Sequence, residues 1–229
     1  MAVSTASAPT TFQQELAATA QHLATVLPPA AAQTIDGGIT TVAASGQASR
    51  VRQVGQAAPD FTLSSATNEA VVLSQLLEQG SVVLVFYRGN WCPYCNVQLR
   101  AYQQLLPELA QHSATLVAVS PQTPDFTSLT ASEKELSFPV LSDVGNVVAR
   151  QYGLAYGVGA EVANTLRSVG IDLGAYNGTA DDELPLTATF IIGTDGFIKW
   201  SWVEANFKHR ADPTEILAAL AQLPAPQAA

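Results

Sequence analysis

The sequence predicts an α/β sandwich built on a mixed sheet, and three observations predict it. Two apolar runs of strand length, Ser81–Tyr87 and Thr115–Ser120, stand on either side of a helical stretch, Asn96 to His112. That order is the pattern of a parallel βαβ unit whose strands are covered on both faces. Later, Thr189–Ile192 and Phe197–Val203 flank Thr194-Asp195-Gly196, the turn chemistry of an antiparallel hairpin. A helix then closes the chain over Pro213–Leu223, with Pro at its start and Ile216, Leu217 and Leu220 for packing.

From the N-terminus, residues 1–50 are rich in Ala, Thr and Ser and almost uncharged. They predict a helical extension and connector ahead of a main domain over 51–229. Phe12, Leu16, Ala20, Leu23 and Leu27 recur at spacings of three and four, which gives one apolar helix face. Thr11 and Gln14 fit a capping box, and Pro28-Pro29 ends the segment. Thr34–Ser49, with Gly37-Gly38, predicts a weakly structured connector, the whole extension serving packing or dimerisation. The main domain opens near Val54. Its first buried strand is bounded by Gly80 and Gly89, and Leu99, Tyr102, Leu106 and Leu109 line one side of the following helix, kinked at Pro107. Asp125–Leu136 predicts a second helix, Pro139–Ser142 a short extended piece and Asn146–Tyr152 a short helix. The Gly-rich stretch 153–185 reads as an irregular crossing loop, and no internal repeat is visible.

Composition bounds the function. With 229 residues, 48% of them hydrophobic and 13% charged, the chain is neither disordered throughout nor too small for a core. Two cysteines exclude a domain held mainly by disulfides. No run reaches the ~18 apolar residues of a membrane-spanning helix. A net charge of −9, from 10 Lys+Arg against 19 Asp+Glu, argues against nucleic acid as a partner. Met1–Ala8 has no basic residue and no apolar core, so no export signal and a cytoplasmic location are expected.

Cys92 and Cys95 carry the chemistry. Asn90-Trp91-Cys92-Pro93-Tyr94-Cys95 lies between a buried strand and an amphipathic helix. On a first helical turn, i and i+3 side chains sit ~5–6 Å apart, within the reach of a disulfide. Pro93 suits that turn because its missing N–H needs no partner there. The positive helix end stabilises a thiolate by about 1–2 kcal/mol, which raises the reactive fraction several-fold at neutral pH. A thiolate attacks either a disulfide or a peroxide oxygen, and a second thiol one turn away condenses with the sulfenic acid before over-oxidation. Half a zinc site and a pair of inert structural cysteines are the alternatives. Zinc takes four ligands, and His22, His112 and His209 show no ligand-like clustering. No metal or other cofactor is expected, and no phosphate-binding Gly motif is present.

Trp91-Cys92-Pro93-Tyr94-Cys95 after an apolar strand resembles the active site of the thioredoxin superfamily. A wider frame resembles the peroxiredoxin-like branch of the alkyl hydroperoxide reductase/thiol-specific antioxidant family. It consists of Ala58-Pro-Asp-Phe-Thr-Leu63, Phe86-Tyr-Arg-Gly-Asn-Trp-Cys92, Val119-Ser-Pro-Gln122, Phe138-Pro-Val-Leu-Ser-Asp143, Thr189-Phe-Ile-Ile192 and Asp195-Gly196. The likeness spans roughly residues 54–223. It implies a thioredoxin fold, a thiol-dependent peroxidase for hydrogen peroxide or organic hydroperoxides, recycling by a thioredoxin-type or other thiol donor, and a homodimer.

The departures from that family matter. Its Pro-x-x-x-Thr-x-x-Cys pattern aligns Arg88 with the Pro, Cys92 with the Thr and Cys95 with the peroxide-attacking Cys. The usual Glu three residues later is Gln98. Thioredoxins instead attack through the first Cys, so the two resemblances assign opposite roles to Cys92 and Cys95; the peroxiredoxin alignment favours Cys95. Thr187 occupies the place of a peroxiredoxin Arg or a thioredoxin cis-Pro. The cation that polarises peroxide is then sought at Arg88, with Arg150 as the weaker candidate; a strand-end surface cation is the alternative for Arg88. Trp91 and Tyr94 shield the thiols or simply pack, and Gln98 reaches substrate or is exposed. His209-Arg210, Asp143 and Lys134 read as ordinary surface groups. A protein thiol–disulfide oxidoreductase and a redox-sensing interaction module remain the alternative functions.

Overall fold

The computed structural model describes residues 11–223, so the reading of Met1–Ala8 lies outside it. Two helices come first, α1 (Phe12–Val26) and α2 (Pro29–Ala44), then one 3₁₀ turn at Gln47–Arg50. The strands β1 (Thr62–Ser65) and β2 (Ala70–Val72), helix α3 (Leu73–Leu77) and strand β3 (Ser81–Phe86) lead to α4 (Pro93–Gln103) and α5 (Leu106–Gln111). Next are β4 (Ala114–Ser120), α6 (Pro124–Glu133), β5 (Val140–Ser142) and α7 (Val147–Gln151). The chain continues through β6 (Ala155–Gly157), α8 (Ala160–Ser168), α9 (Leu173–Asn177) and β7 (Glu183–Pro185) to the hairpin β8 (Thr187–Ile192) and β9 (Ile198–Glu204), then α10 (Pro213–Leu220).

Seven strands form one mixed sheet in the order β2-β1-β5-β4-β3-β8-β9. The β3, β4 and β5 pairings are parallel, whereas β8 lies antiparallel to β3 and β9 antiparallel to β8. This is the thioredoxin fold. Strand periodicity sends Val83, Val85 and Tyr87 to one face, into a core shared with α4, α5 and α10, and Val82, Leu84 and Phe86 to the other, against α3 and α7. Leu16 of α1 belongs to the first of these cores. Among the described residues no helix is long and apolar enough to cross a membrane.

Three expectations are corrected. Thr34–Ser49 is not a loose connector, because most of it belongs to α2. Gly38 serves close approach: a Cβ there would stand 2.8 Å from Val162 Cγ2 of α8. The stretch 153–185 holds two helices and a two-stranded pair rather than an irregular loop. Its glycines sit at element ends, Gly159 and Gly178 flanking α8 and α9 with positive φ. The helix Asn96–His112 is two helices, and Pro107 lies in the first turn of the second, where no N–H is required. The Thr11–Gln14 capping box is present as the spacing predicts.

Candidate active site

β3 delivers the chain to the site at Tyr87, whose N–H still pairs with Val119 O at 3.0 Å. The loop that follows is pinned by its backbone. Asn90 N–H donates to buried Gln122 Oε1 at 2.6 Å, and Cys92 N–H donates to Gly89 O at 3.1 Å. Gly89 has φ +151, and a Cβ there would meet Trp91 Nε1 at 2.4 Å, so only glycine fits. Cys92 caps α4 in extended conformation, Pro93 opens the helix and Cys95 completes the first turn. Both thiols are free and buried.

The two sulfurs have opposite surroundings. Burial by itself would raise the pKa of Cys95, but four groups together outweigh it and hold the thiol well below its ordinary value. They are the hydrogen bond from Cys92, the Arg210 guanidinium, the Arg88 N–H and the Arg88 charge. Arg210 Nη2 lies 3.2 Å and Arg88 N 3.5 Å from Cys95 Sγ. Burial pushes Cys92 well up, and the hydrogen bond and negative charge at Cys95 push it further, against Arg88 and Arg210. The two shifts run in opposite directions, down at Cys95 and up at Cys92.

Arg210, read from the sequence as a surface group, is 3% exposed and completes the site. The segment between β9 and α10 brings it in. Its Nη1 donates to the carbonyls of Phe207 and His209 and lies 3.5 Å from Thr187 Oγ1. Tyr102 of α4 donates to Ala211 O at 2.8 Å, and the Asp212–Glu215 capping box fixes the next turn. The local signal was that box and Pro213, which start a helix at once after an arginine.

Arg88 is also 3% exposed, with its guanidinium 3.8 Å from the Phe207 ring centre and 4.9 Å from that of Trp91. Arg88, Trp91, Cys92, Pro93 and Tyr94 line a cavity of about 350 Å³ roofed by Leu23 of α1, Leu27 just after it, Ile35 of α2 and Leu166 of α8. An Asp36–Lys208 ion pair of 2.5 Å stands at its wall. Cys95 is not among the lining residues. Gln98 is neither at the cavity nor exposed: it is buried, and its Nε2 donates to Tyr102 at 3.2 Å. Thr187 touches Arg210 rather than the cavity. Arg150 pairs with Glu183 on the surface and does not serve the thiols. Asp143 is buried, not a surface group, and accepts from Val148 N and Ala149 N at the start of α7.

A cysteine sulfur in contact with a guanidinium, with a second thiol one turn before it at the helix start that follows a central strand, is the arrangement of a thiol oxidoreductase of thioredoxin fold. The AhpC/TSA family profile matches residues 54–201. The chain belongs to that family, and with it to the thiol-dependent peroxidases of peroxiredoxin type. It is similar to the bcp protein of Helicobacter pylori strain J99, named as a peroxiredoxin, with 29% identity over 163 residues, 69% of this chain and 93% of that one. Alkyl hydroperoxide reductase E of Mycobacterium tuberculosis is 30% identical over 103 residues, 44% of this chain and 67% of that protein. The crystal structure of peroxidoxin BcpB from M. tuberculosis shares the fold, with TM-score 0.59 and 24% identity over 75% of this chain and 98% of that one.

Proposed function

We propose that the chain reduces peroxides through Cys95 as attacking thiolate and Cys92 as resolving thiol. The observation that carries this reading is Cys95 Sγ held by both Arg210 Nη2 and Arg88 N–H, with Cys92 close by at the N-cap of the same helix. The thiolate attacks one peroxide oxygen, the O–O bond breaks, and the departing oxygen takes a proton to leave as water or alcohol. Arg210 and Arg88 stabilise the negative charge as it moves from sulfur to oxygen. The sulfur of Cys92 then attacks the sulfenic acid at Cys95. The S–O bond breaks, hydroxide leaves as water with the proton of Cys92, and the Cys92–Cys95 disulfide remains. Two thiols from a thioredoxin-type or smaller donor return it to the reduced state. Trp91, Pro93 and Tyr94 shape the approach, and Thr187 and Gln98 act as positioning residues, through Arg210 and Tyr102.

One observation favours a second reading: Cys92, not Cys95, faces the cavity, as the attacking cysteine of a protein disulfide oxidoreductase would. Stopped-flow oxidation by hydrogen peroxide separates the two. Cys92→Ser should still form sulfenic acid at close to the wild-type rate, and Cys95→Ser should fall to the rate of free cysteine. The reverse pattern assigns attack to Cys92, and free-cysteine rates in both variants end the peroxidase reading.

A further inference from the structure

The cavity above Cys92 is lined by Arg88, a buried cation whose Nε has no hydrogen-bond partner and whose side chain pairs with no carboxylate among the described residues. Buried donors left in this way cost free energy unless something accepts from them. The rest of the lining is largely apolar, with Leu23, Leu27, Ile35, Leu166 and Ile171 prominent. A volume of about 350 Å³ falls within the range of small-molecule sites. Asp36, the carboxylate of the wall, is already engaged by Lys208.

Charge accounting adds a second, independent observation. Among the described residues neither Arg88 nor Arg210 forms an ion pair with a carboxylate, so the Cys95 thiolate is the single anion beside two buried guanidinium groups. Formation of the Cys92–Cys95 disulfide removes that anion. The oxidised protein then carries two buried cations without compensation, a state that favours binding an anion next to the disulfide.

We infer that the cavity is the binding site of the reductant, a low-molecular-weight thiol with a carboxylate on an apolar frame. The carboxylate pairs with Arg88 while the apolar frame lies against α1, α2 and α8. This rests on the reading that the two cysteines cycle through a disulfide. The bound thiol loses its proton to solvent, and its sulfur attacks Cys92 Sγ, the disulfide sulfur that faces the cavity. The S–S bond breaks, and Cys95 departs as the thiolate that Arg210 again compensates. A second thiol molecule attacks the ligand sulfur of the mixed disulfide and passes its proton to Cys92. The products are the reduced pair and one small-molecule disulfide, with two electrons supplied by two thiols. A protein donor meets instead Cys92 at 2% exposure beneath the helical roof.

The test uses the full chain, oxidised to the disulfide with diamide so that the result does not depend on peroxide reactivity. Reduction is followed by free-thiol labelling after mixing with ω-mercapto-octanoate, its methyl ester, or thioredoxin with its reductase, at equal thiol concentration. The acid should show saturating kinetics and outrun both the ester and thioredoxin at least tenfold. Arg88→Met, which keeps an unbranched stem and removes the guanidinium, should weaken saturation by the acid several-fold more than it slows the ester. Val169→Trp, which fills the cavity from a half-buried lining position, should slow the acid tenfold or more. Equal rates for acid and ester, or faster reduction by thioredoxin, would overturn the proposal. Failure of hydrogen peroxide to form the disulfide in a parallel sample would count against the peroxidase cycle instead.

Discussion

Replacement of Arg210 by methionine keeps an unbranched apolar stem and removes the guanidinium 3.2 Å from Cys95 Sγ. At that distance Coulomb attraction in an effective dielectric of ~20 amounts to about 5 kcal/mol, which is a ceiling. Much of it is offset by the desolvation of two charges, and a charge-assisted hydrogen bond contributes about 1.5–3 kcal/mol net. At 1.36 kcal/mol per pH unit, the loss corresponds to roughly 10- to 100-fold less thiolate on the acid side of the titration. Single-turnover oxidation by hydrogen peroxide, followed by sulfenic-acid trapping or tryptophan fluorescence across pH, reads this directly. Cys95 titrates below the ordinary thiol value, so its reactivity is present at neutral pH and lost as pH falls through the folded-state value. In Arg210→Met the midpoint should move upward by roughly one to two pH units, the rate on the acid side of the wild-type midpoint should fall roughly 10- to 100-fold, and the two proteins should converge at alkaline pH. Arg210→Lys, with its charge but without the planar fork, should lie between them. A rate profile superimposable on wild type, from a variant with native circular dichroism, would refute the assignment of Arg210 as the thiolate's counter-charge.

Other perturbations give distinct readouts. Gly89→Ala places a Cβ in a positive-φ position against Trp91; urea denaturation should show a loss of about 1–3 kcal/mol, and peroxide oxidation should slow with it. Tyr102→Phe leaves the Ala211 carbonyl without its 2.8 Å donor and should cost about 1–2 kcal/mol, with a smaller fall in oxidation rate than Arg210→Met because the guanidinium remains. Burial lifts Tyr87 and Tyr102 from 10.0 to about 12, only partly offset by their hydrogen bonds. A raised value means that stability is intact below pH 10 and is lost as pH climbs through 12, by about 2–3 kcal/mol for each tyrosine. Urea midpoints that stay flat between pH 10 and 12 would contradict that burial.

The central sheet was legible because its strands declare themselves: Val82 to Phe86 and Leu116 to Val119 are apolar without interruption, as strands buried on both faces must be. The cysteine pair was legible for a similar reason, since a spacing of three with Pro93 between fixes its own local geometry. Helix α2 was not, because Gly37-Gly38 reads locally as a breaker, and only Val162, more than a hundred residues away, shows why glycine stands there. The segment 153–185 was missed on the same ground: its small core of Leu166, Leu173 and Leu184 is assembled from three short pieces separated by glycines that read locally as loop. Arg210 was the costliest omission. Its neighbours in sequence, Lys208 and His209, are polar, and nothing local marks the third cation for the interior. The contact that draws it inward is with a sulfur 115 residues earlier.

That separation has a consequence for biosynthesis. A ribosome completes both cysteines, the central strand that leads to them and most of the helical cover before Arg210 is made. Until the last segment emerges and docks, Cys95 has the backbone donor but lacks the guanidinium, and remains closer to an unreactive thiol. Oxidant sensitivity is thereby deferred to the end of translation, when Cys92 already stands one turn away to intercept a sulfenic acid.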